Sequence, residues 1–178
     1  MRIFIIGPGG VGKSTSGKIL TKKLGYELID LDNEFMNRVE HIGTFIEKNG
    51  YEKYCYKNSE LFYSLLENSD INTVFVLSSG FLVHEGLETL TQKHAKTLQE
   101  NGVSILLLPS KNKKEAVEII VKRQLQRGFG LNEDNERRKF KERFTKYSQF
   151  GDIKIYSHKE SEKIAEEMRI RLATHLTV

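Results

Sequence analysis

Short apolar runs alternate along this chain with longer stretches in which apolar residues recur every three or four positions. The short runs are typical of strands in a parallel sheet, and the longer stretches are typical of helices that bury one face. The predicted strands are Arg2–Ile6, Tyr26–Asp30, Thr73–Leu77, Val103–Leu108 and Asp152–Tyr156. Helical spacing links Val83, Leu87, Leu90 and Leu98, then Ala116, Val117, Ile120, Val121 and Leu125, and finally Ile164, Ala165, Met168 and Leu172. We therefore expect a three-layer α/β fold, a five-stranded parallel sheet flanked by helices on both faces.

Two segments depart from this alternation. Residues 32–70 form a long and mostly helical excursion between the second and third strands. Residues 127–139, RGFGLNEDNERRK, have two glycines, dense charge and few apolar side chains, which is typical of a mobile segment. Ligands of open α/β sheets bind beyond the carboxyl ends of the strands, and both segments start from elements that can carry them there.

Composition adds limits to this picture. The 178 residues are about the size of one domain, so we expect a single core over residues 1–178. The first apolar run is too short for a signal peptide, and no segment reaches the roughly 20 apolar residues that span a bilayer. We therefore expect a cytoplasmic protein without membrane contact, and the single cysteine, Cys55, supports this because it excludes an internal disulfide framework. We expect a monomer or a weak homodimer. The net charge of +4 comes from basic residues interleaved with acids, which disfavours a nucleic-acid partner.

The glycine-rich stretch GPGGVGKST, residues 7–15, follows the first strand and fits two phosphate-binding patterns. As G-x-G-x-x-G it would hold the pyrophosphate of NAD, and Asp30 would then bind a ribose hydroxyl. As G-x-x-x-x-G-K-[ST] it is the phosphate loop of an ATP- or GTP-using protein. Only the second pattern uses Lys13, which can reach the β and γ phosphates, and Ser14, which can bind Mg²⁺. A dehydrogenase also needs a second nucleotide or substrate unit, for which the chain is too short.

We therefore favour the phosphate loop. Its successive backbone N–H groups and the N-terminus of the next helix form an anion site that needs no side chains. The nucleotide-binding residues expected from it are Gly9, Gly10, Val11, Gly12, Lys13, Ser14 and Thr15.

The longer stretch GPGGVGKSTSGKILTKKLGYELIDLD, residues 7–32, resembles the opening of the shikimate kinases, which phosphorylate one hydroxyl of a carboxylated cyclohexene triol. The resemblance continues through a helical substrate-binding excursion (32–70), a mobile lid (127–139) and a C-terminal strand and helix. It implies a P-loop kinase that uses ATP and Mg²⁺ and acts on a small hydroxylated, anionic acceptor. Shikimate is the first candidate.

The D-x-D pair at the end of the second strand carries the most specific part of the resemblance. In the family, the first acid helps to hold Mg²⁺ through water and the second contacts the hydroxyl that receives the phosphate. The resemblance therefore assigns Asp30, with Ser14, to the metal and Asp32 to the acceptor. The residues alone also allow Asp32 to cap a helix that begins at Asn33, and a cap could serve both purposes.

Two later motifs resemble the arginine sites of the family. RFTKY, residues 143–147, resembles R-x-P-L-Y, which implies that Arg143 binds the substrate carboxylate; Thr145 stands where the proline is expected. A planar guanidinium can donate two parallel hydrogen bonds to a carboxylate, although Arg143 could also be an exposed helix residue paired with Glu142.

The lid of the family opens with R-P-L-L, and RGFG, residues 127–130, stands in its place. The resemblance makes Arg127 the residue that closes over the phosphates and stabilises charge during transfer. Lys122 or Arg123 would lie over the adenine, and Arg123 is the residue assigned here. Residues 157–159 take the position of the adenine loop without its proline.

Two acceptor motifs differ from the family pattern. Cys55 stands where a second arginine grips the carboxylate, and a contact of that kind is worth roughly 1.5 to 3 kcal/mol, or about one to two orders of magnitude in affinity. After the third strand, Gly80 remains as a substrate contact, while Phe81 and Leu82 replace glycines. We expect these two side chains to narrow the acceptor site or make it less polar.

Several alternatives stay open from the sequence. The chain could phosphorylate another small molecule or a nucleoside monophosphate, it could bind nucleotide as a regulator without turnover, or it could be a dehydrogenase that binds NAD in preference to ATP. Cys55 could also act as a nucleophile with a histidine as base. The cations that a monophosphate would need are Arg38, Lys48, Lys53 and Lys57, and the histidines considered for Cys55 are His41, His84 and His94.

Overall fold

The computed structural model describes residues 1–128 and 130–176. Phe129, inside the predicted lid, and residues 177 and 178 of the predicted domain lie outside the described residues. The strands are β1 (Arg2–Ile6), β2 (Glu27–Asp30), β3 (Thr73–Val76), β4 (Gly102–Leu108) and β5 (Ile153–Tyr156). The helices are α1 (Lys13–Leu24), α2 (Leu31–Arg38), α3 (Ile42–Asn49), α4 (Tyr51–Asn68), α5 (Glu88–Asn101), α6 (Lys113–Leu125), α7 (Glu133–Tyr147) and α8 (Ser161–His175).

The five strands form one parallel sheet in the order β2-β3-β1-β4-β5. β1 lies in the middle, where Ile3 pairs with Val74 on one side and Val103 on the other. Residues 3–6 are buried without alternation because helices cover both faces of the sheet. Every predicted strand is confirmed to within one residue at either end.

The helices pack in neighbouring pairs around the sheet. α1 contacts α8, β2 and β3, while α6 packs on α7 and α5 packs on β4. The three-layer α/β fold expected from the sequence is confirmed. Among residues 1–128 and 130–176, no helix combines the length and apolar character that crossing a membrane requires.

The excursion between β2 and β3 is helical, as predicted, and consists of α2, α3 and α4. It has a small core of its own, in which Phe35 meets Phe45 and Tyr54 edge to face. Gly50, with φ +88°, separates α3 from α4 by a single residue. α4 then turns one face inward at helical spacing, with Tyr54, Cys55, Asn58, Ser59, Phe62, Leu65 and Leu66 buried.

Two sequence expectations change here. The apolar spacing that starts at Val83 is not helical there, because α5 begins at Glu88 and residues 77–87 form turns. The predicted lid is also more regular than its composition suggested. Asn132 caps α7 by accepting a hydrogen bond from the backbone N–H of Asn135 at 3.0 Å, so residues 133–139 are the first turns of a helix.

Candidate functional site

The glycine-rich loop joins β1 to α1 at the carboxyl edge of the sheet. Gly7 lies so close to β4 that a Cβ atom there would stand 2.3 Å from the carbonyl oxygen of Leu107. Gly12 precedes α1 with φ +101°, and neither a capping side chain nor an acid in the first turn occupies the helix N-terminus. The N–H groups of this turn therefore remain available to an anion.

Lys13 is buried inside this loop and is only 8% exposed. Its Nζ donates to the carbonyl oxygens of Gly7 and Pro8 at 2.8 and 3.0 Å. Burial lowers the pKa of Lys13 to about 8, and the charges of Asp32 and Asp30 oppose that shift. Lys13 and both carboxylates therefore share one electrostatic environment, as the phosphate-loop interpretation requires.

Ser14 and Thr15 are exposed at the start of α1, whereas Asp30 is buried at the end of β2. Asp30 also caps α2, since its Oδ1 accepts from the backbone N–H of Asn33 at 3.3 Å. The alternative in which Asp32 caps a helix beginning at Asn33 is wrong. α2 begins at Leu31, and Asp32 lies in its first turn.

A cleft of about 970 Å³ opens between the helical excursion and α7. All three residues predicted to contact the acceptor, Asp32, Gly80 and Arg143, line it. A smaller pocket shares Ser79 and Arg143 with this cleft and is also lined by Pro8 and Gly9 of the phosphate loop. The acceptor residues and the phosphate loop therefore adjoin one another.

Two buried polar side chains, linked by hydrogen bonds, fix the carboxylate of Asp32. Ser78 donates from its hydroxyl to Oδ1 of Asp32, and Asn58 donates from Nδ2 to the same hydroxyl at 3.0 Å. Asn58 is 1% and Ser78 6% exposed. The sequence analysis did not identify Asn58, which looks like an ordinary polar helix residue. Its position three residues after Cys55 could have indicated that both lie on the same face of the helix.

Arg143 projects from α7 into the cleft, and its guanidinium donates to the hydroxyl of Tyr51 at 3.3 Å. No ion pair that the structure shows between described residues includes Arg143, so the surface pairing with Glu142 is not found. One turn further along α7, buried Tyr147 donates to the backbone carbonyl of Ser79. This bond ties the arginine-bearing helix to the turn after β3.

The two remaining arginines lie beside the phosphate loop. Arg123 donates to the carbonyl oxygen of Gly10 at 3.5 Å and to that of His158 at 3.1 Å, so it bridges the phosphate loop and the loop after β5. Arg127 is exposed and donates to Gln124 at 2.9 Å, and its charge contributes to lowering the pKa of Lys13. Lys122 is exposed.

The expectation that Phe81 and Leu82 narrow the site is wrong. Both belong to the main hydrophobic core and are 1% and 2% exposed. Phe81 stacks on His94 with the ring centroids 3.9 Å apart. The turn after β3 points these side chains inward and presents Ser79, Gly80 and Val83 to the cleft.

Cys55 is fully buried beneath the cleft, and one of the three histidines does lie beside it. Its Sγ is 3.2 Å from Nδ1 of His84. Burial raises the pKa of Cys55 to about 11 and lowers that of His84 to about 4. At neutral pH the pair is therefore a thiol beside a neutral imidazole, which is the opposite of an activated nucleophile.

The four cations considered for a nucleoside monophosphate lie elsewhere, and the cations that do line the cleft belong to α7: Arg138, Lys139, Arg143 and Lys146. Arg38, Lys48 and Lys57 form surface ion pairs with Glu34, Glu40 and Glu60. Lys53 is exposed, and the described lining of the cleft contains none of the four.

Comparisons with known proteins show the family of this chain. The profile of the shikimate kinase family matches residues 9–173. The bifunctional shikimate kinase/3-dehydroquinate synthase of Thermotoga maritima is 35% identical over 99 residues, which are 55% of this chain and 20% of that protein. The pentafunctional AROM polypeptide of Candida glabrata is 32% identical over 108 residues, 60% of this chain and 7% of the polypeptide. The matched region is thus a small part of these curated relatives.

Solved structures share the fold over nearly the whole chain. Shikimate kinase from Aquifex aeolicus superposes with a TM-score of 0.76 at 24% identity, covering 99% of each chain. Shikimate kinase from Acinetobacter baumannii, in complex with shikimate, gives a TM-score of 0.78 at 20% identity, covering 97% of this chain and 93% of that one.

Proposed function

Because this chain belongs to the shikimate kinase family, we propose that it transfers the γ-phosphoryl group of ATP to a hydroxyl of a small hydroxylated carboxylic acid, with shikimate as the leading acceptor. One observation carries the proposal. Asp32, Gly80 and Arg143 line a single cleft, and the pocket next to it is shared with the phosphate loop.

At the nucleotide end, the N–H groups of residues 9–15 and the N-terminus of α1 bind the phosphates. The ammonium of Lys13 exchanges its two carbonyl partners in the loop for phosphate oxygens. Arg123 steadies the loop against the segment after β5, which is where the adenine is expected. Arg127 moves in from the lid to stabilise the charge on the transferring group.

Ser14 and Asp30 offer a hydroxyl and a carboxylate, which are the oxygen donors that Mg²⁺ prefers. Ser14 is exposed at the loop, and Asp30 influences the same buried amine as Asp32 does. Both side chains therefore fit a magnesium site in which ATP and water complete the coordination. Bound Mg²⁺ would neutralise charge on the β and γ phosphates.

At the acceptor end, Arg143 binds the carboxylate and Asp32 accepts the proton of the attacking hydroxyl. Asp32 is suited to this task because Ser78 and Asn58 fix its carboxylate from the side away from the cleft. Orientation of this kind supplies most of what phosphoryl transfer requires of a protein.

The test is ADP release with ATP and Mg²⁺, with and without shikimate, beside a panel of other hydroxy acids, polyols and nucleoside monophosphates. We expect stimulation by shikimate at roughly 1 to 100 s⁻¹, the usual range for kinases. Asp32→Asn should suppress turnover and leave ATP binding intact. ATP binding without stimulation by any acceptor would refute the proposal and indicate a nucleotide-binding regulator.

A further inference from the structure

Tyr51 lies in the first turn of α4, one helical turn before Cys55, and lines the cleft. We propose that Tyr51 determines acceptor specificity: its hydroxyl and the guanidinium of Arg143 together bind the anionic group of the acceptor. The inference rests on the proposed kinase function and names the second group that recognises the acceptor. The hydroxyl adds a neutral O–H donor beside Arg143, in a cleft that Arg138, Lys139 and Lys146 of α7 also line.

The first support is the position of the hydroxyl. It accepts a hydrogen bond from Arg143 of α7 at 3.3 Å and lies 3.2 Å from Nδ1 of His84, in the turn after β3. Contacts from two separate elements thus fix one atom of α4 next to the guanidinium. An acceptor carboxylate that reaches Arg143 meets this hydroxyl at the same time.

The second support comes from Gly80. A Cβ atom on this residue would stand 2.5 Å from the hydroxyl oxygen of Tyr51 and 3.3 Å from the ring of His84. The hydroxyl therefore lies directly above the glycine backbone, in space that a larger residue would fill. Gly80, which is expected to contact the acceptor, also leaves room here for the hydroxyl of Tyr51.

The third support concerns the proton of Tyr51. Nδ1 of His84 carries either one lone pair or one proton, so it makes one good hydrogen bond at a time. Both the hydroxyl of Tyr51 and the thiol of Cys55 lie 3.2 Å from it. The thiol also makes a hydrogen bond with the hydroxyl of Tyr51 itself. When the thiol donates to Nδ1, the hydroxyl proton of Tyr51 can point at a carboxylate oxygen instead. Cys55 thus acts as a positioning residue, both through His84 and by direct contact.

The test compares Tyr51→Phe with Tyr56→Phe, which removes an exposed hydroxyl from the same helix. KM and kcat are measured for shikimate and for ATP. Loss of a hydrogen bond to a charged group should raise the KM for shikimate about 10- to 100-fold, with the KM for ATP changed by less than about twofold. Tyr56→Phe should leave both values unchanged.

Gly80→Ala gives an independent measurement. The added methyl group displaces the hydroxyl, so this variant should also raise the KM for shikimate. Tyr51→Phe removes the hydroxyl oxygen, which is the atom nearest to the added methyl group. In that background Gly80→Ala should therefore raise the KM for shikimate by a clearly smaller factor than it does in the wild type. Full additivity of the two effects would count against the placement of the hydroxyl.

The outcomes separate this inference from the proposed function. If the wild type phosphorylates shikimate and Tyr51→Phe has the same KM, the inference is wrong and the kinase function stands. If another hydroxy acid of the panel is the substrate, shikimate is wrong as acceptor, and a raised KM of Tyr51→Phe for that acid upholds the inference. If the wild type binds ATP and phosphorylates no acid, both are refuted.

Discussion

Replacing Lys13 with methionine should abolish phosphoryl transfer and at the same time stabilise the fold at neutral pH. The pKa of Lys13 falls from 10.5 to about 8 because the residue is buried in the phosphate loop, where only 8% of it is exposed. That difference corresponds to about 3 kcal/mol of stability lost while the amine is charged. Methionine keeps much of the volume and carries no charge to desolvate.

The sign follows from the two protonation states. Below about pH 8 the folded and unfolded chains both keep the proton, so the full cost of the buried charge is present. Between pH 8 and 10.5 the folded chain loses its proton first, and the wild type gains stability as the pH rises. Lys13→Met does not gain stability in this way. The excess of its free energy of unfolding over that of the wild type should therefore shrink by about 2 to 3 kcal/mol from pH 7 to pH 10.

The assay is urea unfolding of both proteins at pH 7 and pH 10, with Lys18→Met as the control for an exposed lysine on the same helix. The hydrogen bonds to Gly7 and Pro8 are lost in the variant at either pH, and all other titrating groups are common to both proteins. The change in the stability difference therefore reports the charge of Lys13. A difference that stays constant within about 0.5 kcal/mol, or grows with pH, would refute the reasoning.

Two further predictions concern the groups behind the cleft. Ser78→Ala removes the donor to Asp32 and should lower kcat about 10-fold with little change in the KM for ATP. Because Asn58 then lacks its partner, the free energy of unfolding in urea should fall by about 1 to 3 kcal/mol. A kcat equal to that of the wild type would contradict the role given to Ser78. Cys55→Ser keeps a donor beside His84 and should hold the KM for the acceptor within about threefold of the wild-type value. Cys55→Ala should raise this KM further in the same steady-state assay. Identical KM values for the two variants would show that Cys55 has no role in binding the acceptor.

The sequence predicted the scaffold and the phosphate-loop fold, because these depend on local patterns. Buried strands such as residues 3–6 are continuous apolar runs, and a phosphate loop is a fixed spacing of glycines and a lysine. Asp32, Gly80 and Arg143 were also predicted from motifs, and all three line the cleft. The helix that starts at Glu133 could have been found from its Asn132 cap, a local signal that the dense charge obscured.

The other errors depend on tertiary contacts. A list of residues does not say which way a turn faces, so Phe81 and Leu82 were expected in the cleft although they complete the core. The contact of Cys55 with His84 joins positions 29 residues apart, and neither side chain has a local pattern that reveals the other. The position of Tyr51 in the site could not be predicted for the same reason, because its hydrogen-bond partners lie in the turn after β3 and in α7.

The place of β1 in the sheet has a consequence for how the protein is made. β1 leads into the phosphate loop and is synthesised before both of its partners, since β3 follows the helical excursion and β4 follows α5. Pairing across such long sequence separations is slow, because the loop-closure entropy must be lost before the contacts form. The phosphate loop is therefore translated well before the strands that hold β1 in place, and a ribosome-bound chain that stops before β4 should not yet bind ATP.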